Sequence, residues 1–317
     1  MPVDTQTAAL LAKLKLHDAA PGQDITIAQM RAGANALFLG FAGQSEPACV
    51  VEDRTIPGPA GPVPLRIYWP EHKSRAPLPI IVFFHGGGWS LGDVASYDSF
   101  VRSLCALGPA IMISVDYRLA PEHKYPAGLE DCAAAANWAL AHAEELGGAP
   151  GNVAVMGDSA GGNLATVIAH RIGAAGRRRL AAQFLLYPVL DVSRPHAHYP
   201  SRMAFGDGDY LLSRAGIDAA TDWYLDDPAC TVQPDISPLR ETDLSLLPPT
   251  VLMVGGYDPL LDETRAYHRR LEAAGVETRF TCFKSTIHAF LSFGVLDVAQ
   301  AGRRALADTI RDLMPPS

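Results

Sequence analysis

Six short apolar runs, spaced by segments of helix length, constrain this chain more than any other feature. Residues 79–84, 110–115, 152–156, 181–187, 249–254 and 278–283 are each apolar enough to be strands buried on both faces. Helical spacing fills most of the gaps, at 95–107, 128–146, 159–172 and 262–274. Strands that alternate with helices predict a parallel sheet covered on both sides by right-handed crossovers. Two further strands, 50–56 and 63–69, flank the Pro/Gly turn at 57–62 and read as an antiparallel pair at one sheet edge. The expected fold is therefore α/β, an eight-stranded and mostly parallel sheet flanked by helices.

Two regions stand outside this alternation. The first 45 residues carry helical signals only: Leu10, Leu11 and Leu14 share a face, and Ile25, Ile27, Met30, Leu37, Phe38 and Phe41 form a second apolar stretch. The interval 190–249 is too long for a plain loop in a compact domain and holds a helix-like stretch at 213–225, so an inserted element is expected there. The organisation read from the sequence is a helical part of a cap at 1–48, core at 49–189, a cap insertion at 190–249 and core again at 250–317.

Composition removes several function classes. With 26 Lys and Arg against 34 Asp and Glu, the chain carries a net charge of -8, which repels nucleic acid and anionic membrane surfaces. No uncharged apolar run approaches the roughly 18 residues of a membrane span, and Asp4, Lys13, Lys15, His17 and Asp18 break up any leader core, so a cytoplasmic location is expected. Five cysteines, at 49, 105, 132, 230 and 282, form no C-x-x-C pair and no metal-spaced cluster with histidine. They are expected to be buried free thiols, with no metal or cofactor required.

The residues with chemical character sit at strand ends. Gly157-Asp158-Ser159-Ala160-Gly161-Gly162 follows one apolar run and opens a helix, the strand–turn–helix setting in which G-x-S-x-G lifts a serine hydroxyl above a sheet edge. A Gly/Ser/Asp turn without chemistry is the alternative for that segment taken alone. A serine nucleophile needs a base and a device for the developing negative charge. His85-Gly86-Gly87-Gly88-Trp89, after the run at 79–84, matches the HGGG loop of lipases and esterases, in which glycine N–H groups join that of the residue after the nucleophile. That makes Gly87, Gly88 and Ala160 the candidate oxyanion donors. Of the downstream histidines, His170 and His268 fall within helical stretches and His196 and His198 within the insertion. Only His288 follows the last strand. Asp258 ends the preceding strand and is the candidate acid, with Asp262 and Glu263 as rivals inside the next helix.

Together with Asp116-Tyr117-Arg118-Leu119-Ala120-Pro121-Glu122, Asp258-Pro259-Leu260-Leu261-Asp262-Glu263 and His288-Ala289-Phe290, these motifs resemble the bacterial hormone-sensitive-lipase-like carboxylesterases of the α/β-hydrolase fold, from about residue 50 to the end. The resemblance implies a serine carboxylesterase for short- to medium-chain acyl esters of small molecules, working through an acyl-enzyme. It implies that Ser159 attacks, His288 carries the proton and Asp258 orients it, and that Arg118 and Glu122 hold the oxyanion loop. Ala289 departs from the glycine usual at that place. Trp89, Asp158, Phe38, Phe205 and Leu212 are candidate substrate-binding residues. An amidase, lactonase or thioesterase could use the same triad, and a non-catalytic receptor on the same scaffold is a more distant alternative, opposed by His288. Oligomeric state stays open, a homodimer included. Arg177-Arg178-Arg179 reads as a solvated helix end, and Gly206-Asp207-Gly208-Asp209 as a turn.

Overall fold

The computed structural model describes residues 2–15, 26–44, 49–71, 76–108, 110–176 and 179–316. Ile25, Arg177 and Arg178 lie outside the described residues.

One eight-stranded sheet runs through the molecule: β1 (Cys49–Gly58), β2 (Gly61–Pro70), β3 (Leu78–Phe84), β4 (Ile111–Val115), β5 (Gly148–Asp158), β6 (Gln183–Leu186), β7 (Thr250–Tyr257) and β8 (Thr278–Ile287), in the order β1-β2-β4-β3-β5-β6-β7-β8. The hairpin β1–β2 is antiparallel and joins β4 antiparallel, whereas every other neighbouring pair is parallel. All seven residues of β3 and all five of β4 are buried, as continuous apolar runs in a doubly covered sheet should be. Alternation sorts their side chains between two cores. Ile80, Val82 and Phe84 face the layer of α4 (Ala127–Ala141) and α5 (Ala160–Ala175). Ile81 and Phe83 face α3 (Asp98–Leu107) and α9 (Asp297–Leu313). Between β7 and β8 the crossover is α8 (Leu261–Ala273).

The two regions outside the alternation divide more finely than the sequence reading. Of the N-terminal helices, α1 (Thr5–Lys15) sits by the core: Asp4 N–H donates to Ser285 O at 2.9 Å, and Leu10 is buried among residues of β8's neighbourhood and α9. By contrast α2 (Ile27–Phe41) lines the cavity at the carboxyl edge of the sheet. It starts at a capping box in which Gln29 N–H donates to Thr26 Oγ1 at 3.3 Å and Thr26 N–H to Gln29 Oε1 at 2.9 Å.

Within 190–249, α6 (Pro200–Phe205) and α7 (Arg214–Tyr224) are the helical part. The return segment beyond them belongs to the core, where Ile236, Leu244 and Leu247 are buried and Asn163 of α5 donates to Ile236 O at 2.9 Å. Asp262 and Glu263, the rival acids, root this insertion. Asp262 accepts from Ser201 N–H at 2.7 Å, and Glu263 accepts from Leu190 N–H at 2.8 Å and pairs with the buried Arg202. None of the five cysteines is in a disulfide; Cys105 and Cys132 are buried, whereas Cys49, Cys230 and Cys282 are only partly so. Among the described residues no helix is long and apolar enough to cross a membrane, and no cluster of His, Cys, Asp and Glu could hold a metal ion.

Candidate active site

Parallel strands end their chains at the same edge, so the segments after β3, β5, β7 and β8 converge there. Ser159 occupies the turn between β5 and α5 at φ 54°, ψ -119°, a conformation that L-residues hold only when the surroundings enforce it. Enforcement is visible. Ser159 N–H donates to Leu186 O at 2.9 Å, while its carbonyl accepts from Asn163 and Val189 N–H at 3.1 Å each. Helix and strand approach so closely that a Cβ on Gly161 would collide with the Phe84 carbonyl, which explains the small residues of the motif.

The Ser159 hydroxyl oxygen lies 3.0 Å from His288 Nε2, and His288 Nδ1 lies 2.9 Å from Asp258 Oδ2. An ionised Asp258 can only accept, which places the proton of a neutral imidazole on Nδ1 and leaves Nε2 free to accept from the serine. Asp258 is fully buried and its other oxygen accepts from Leu260 N–H at 2.8 Å. His288 is brought to this point by β8, which runs on to Ile287 rather than ending near 283. Tyr187 packs edge-on against its ring with centroids 5.0 Å apart. Ala289, next in the chain, takes the left-handed conformation at φ 58°. His170 and His268 stand apart, on α5 and α8, the first 3.2 Å from Asp243 O and the second stacked on Phe280.

Above the serine the glycine loop turns through φ +110° at Gly87 and +59° at Gly88. Among the described residues nothing accepts from the N–H of Gly87 or Gly88, and Ala160, first in α5, has no acceptor within its helix. Gly87 and Gly88 line the same cavity as Ser159, and Ala160 follows the serine directly in the chain.

Arg118 and Glu122 do not hold this loop in the way the resemblance implied. Arg118 is drawn to Asp131 of α4 at 2.7 Å, and Glu122 pairs with Arg31 of α2. The grip comes instead from Tyr117 Oη, which donates to His85 O at 2.7 Å, and from Ala120 N–H, which donates to Trp89 O at 2.9 Å. Asp158 adds a third hold. Its carboxylate accepts from Gly86 N–H at 2.7 Å and from Tyr97 Oη at 3.1 Å, and burial pushes its carboxyl up to about 7. Asp158 borders the cavity above Ser159 with both oxygens already engaged.

That cavity measures about 300 Å³. Met30, Leu37 and Phe38 of α2 wall it on one side and Leu212, Ile217 and Trp223 in and before α7 on the other, with Ser159, His288, Gly87, Gly88 and Trp89 at its floor. Four of the five candidate substrate-binding residues, Trp89, Asp158, Phe38 and Leu212, line it. Phe205 does not: it packs on Tyr210 and Tyr257, ring centroids 5.6 and 5.2 Å away, because α6 is tied to the start of α8. Arg31, Tyr97 and Trp223 went unremarked in the sequence. None belongs to a motif, and each meets the site only through tertiary packing.

A serine, an imidazole and a buried carboxylate in line at the carboxyl edge of a doubly covered sheet define the α/β-hydrolase class. A family model described as alpha/beta hydrolase fold matches residues 81–292. The carboxylesterase NlhH of Mycobacterium tuberculosis is 40% identical over 84% of this chain and 84% of its own length, and the carboxylic ester hydrolase LipN of the same organism is 41% identical over 82% and 70%. Among solved structures, a hyperthermophilic esterase from Pyrobaculum calidifontis superimposes with a TM-score of 0.90 at 34% identity, covering 99% of each chain. The chain belongs to the hormone-sensitive-lipase-like carboxylesterases of the α/β-hydrolase fold.

Proposed function

We propose that this protein is a serine carboxylesterase that hydrolyses short- to medium-chain acyl esters of small molecules through an acyl-enzyme. The observation that carries the reading is the Asp258–His288–Ser159 chain, with its 2.9 and 3.0 Å links, opening onto an apolar cavity beside the free Gly87 and Gly88 N–H groups. Ser159 Oγ attacks the ester carbonyl while His288 Nε2 takes its proton, and Asp258 stabilises the resulting imidazolium. The oxyanion is received by Gly87, Gly88 and Ala160 N–H. His288 then protonates the departing alcohol, and water repeats the sequence to release the acid and restore Ser159. The names of NlhH, LipN and the Pyrobaculum esterase agree with ester substrates.

The cavity's limited volume of about 300 Å³ sets the chain-length expectation. Each buried methylene contributes about 0.8 kcal/mol until the wall is met, after which overpacking reverses the gain. Hydrolysis of p-nitrophenyl esters of graded length, with Ser159→Ala as the blank, tests the reading. A peak in kcat/KM at short to medium chains is expected. Amide or lactone turnover exceeding that of every ester would overturn it, as would a jump in rate on emulsified long-chain triglyceride.

A further inference from the structure

Arg31, in the second turn of α2, reaches out of the cap to the backbone that follows the glycine triplet. Its Nε donates to Ser90 O at 2.8 Å and its Nη2 to Ala120 O at 2.9 Å, while both Nη atoms meet the Glu122 carboxylate at 2.9 and 2.6 Å. One turn later Asn35 Nδ2 donates to the Asp93 carboxylate at 2.6 Å. The neighbouring face of the same helix presents Met30, Ala34, Leu37 and Phe38 to the substrate cavity.

The contact at Ser90 is one step from the chemistry. Ser90 and Leu91 N–H both donate to Gly87 O, at 3.1 and 2.8 Å, so a shift of Ser90 is passed to the peptide units that carry the oxyanion donors. From the opposite side α7 holds the loop as well. Trp89 stacks on Tyr224 with centroids 4.4 Å apart and planes 5° from parallel, and a Cβ on Gly88 would lie 2.8 Å from that of Ala220. By contrast α2 has no buried residue, so apolar burial alone does not seat it.

Resting on the esterase reading above, we propose that Arg31 is a positioning residue that couples the seat of cap helix α2, and with it acyl-chain selection, to the alignment of the oxyanion loop. A guanidinium is suited to this because its rigid fork of donors makes four bonds at once, to two carbonyls and both oxygens of a carboxylate, one more than the three donors of an ammonium allow. The Arg31 and Glu122 side chains are 27% and 49% exposed, so their ion pair is screened and adds little to stability. Loss of Arg31 therefore acts on catalysis more than on folding.

The test compares wild type, Arg31→Met, Arg31→Lys and Glu122→Gln on p-nitrophenyl acetate, butyrate and hexanoate, with melting temperatures measured alongside. Arg31→Met misaligns donors without deleting them, so kcat is expected to fall about tenfold on every ester, short of the roughly 10²-fold cost of losing a donor. The KM for hexanoate should rise severalfold relative to acetate as the α2 wall shifts, with the melting temperature within a few degrees of wild type. Arg31→Lys should fall between the two, and Glu122→Gln should stay near wild type because the carbonyl contacts survive. If Arg31→Met fails to fold, Arg31→Lys decides: wild-type kcat and chain-length profile in that variant overturn the coupling. Turnover that Ser159→Ala abolishes but that Arg31 substitutions leave unchanged overturns the coupling alone. Wild-type protein without ester turnover overturns the coupling and the esterase reading together.

Discussion

The strand-end nest and the cap that faces it across about 300 Å³ of cavity are built by opposite rules. In the nest, α5 buries eleven of its residues, Asp258 is wholly enclosed, and Ser159 is held in a strained conformation by three backbone hydrogen bonds. In the cap, α2 buries none and α7 buries only Ile217 and Tyr224. Groups that move protons need positions fixed to a fraction of an ångström, which dense packing supplies. Walls that sort acyl chains need only shape, so half-exposed helices suffice. Substitutions in the nest should therefore change kcat steeply, and substitutions of the side chains that wall the cavity should chiefly change which ester is preferred.

The largest effect should come from Ser159→Ala and His288→Ala. Each is expected to reduce kcat by roughly 10⁴-fold or more, with the double variant hardly worse because the pair acts as a unit. Additive losses in single-turnover assays would break the contrast at its root. Asp258→Asn should cost roughly 10³- to 10⁴-fold by disturbing the imidazole tautomer, while Asp262→Asn should stay within a few-fold because that carboxylate anchors Ser201 instead.

Next in size is the oxyanion loop. Gly88→Ala should lower kcat by about 10² with little change in KM, since the added methyl meets Ala220 and the φ of +59° disfavours a side chain. Adding Ala220→Gly should restore part of that rate; no recovery would mean that backbone conformation alone is responsible. A cap wall should matter less and differently. Trp223→Ala is expected to move the preferred acyl length upward, each accommodated methylene adding roughly fourfold in kcat/KM. A uniform loss across all chain lengths would place Trp223 with the nest rather than with the cap.

The smallest kinetic effect is expected at Asp158. Its carboxyl titrates near 7 in the folded protein but near 3.8 in an unfolded chain, because burial disfavours the charge. The folded state then binds the proton more tightly, and stability declines as pH rises from about 4 to about 7 and stays reduced above. Asp158→Asn can still accept from Gly86 N–H and pair with Tyr97, without that decline. Thermal melts should show the variant more stable than wild type at pH 8, with the gap closing towards pH 4 and kcat within a few-fold. A gap that widened on acidification would contradict the burial argument.

Local signals sufficed for much of this protein. Apolar runs of strand length separated by helical periods dictate a parallel sheet, since such runs can be satisfied only between two helical layers. The glycine-flanked Ser159 and the glycine triplet were legible because close backbone approach admits no other residue there, and His288 and Asp258 because each follows a strand. The remainder depended on contacts between segments that no local spacing pairs. Sequence spacing does not say that Arg118 turns to Asp131 while Arg31 supplies the grip on Ser90, nor that Phe205 leaves the cavity to pack on Tyr257. Nor does it say that α1 joins the core while α2 joins the cap. Periodicity reports which face of an element is apolar, and motifs report where the backbone is tight. Which partner meets that face, and which charge answers which, is decided only when the sheet brings distant segments to one edge.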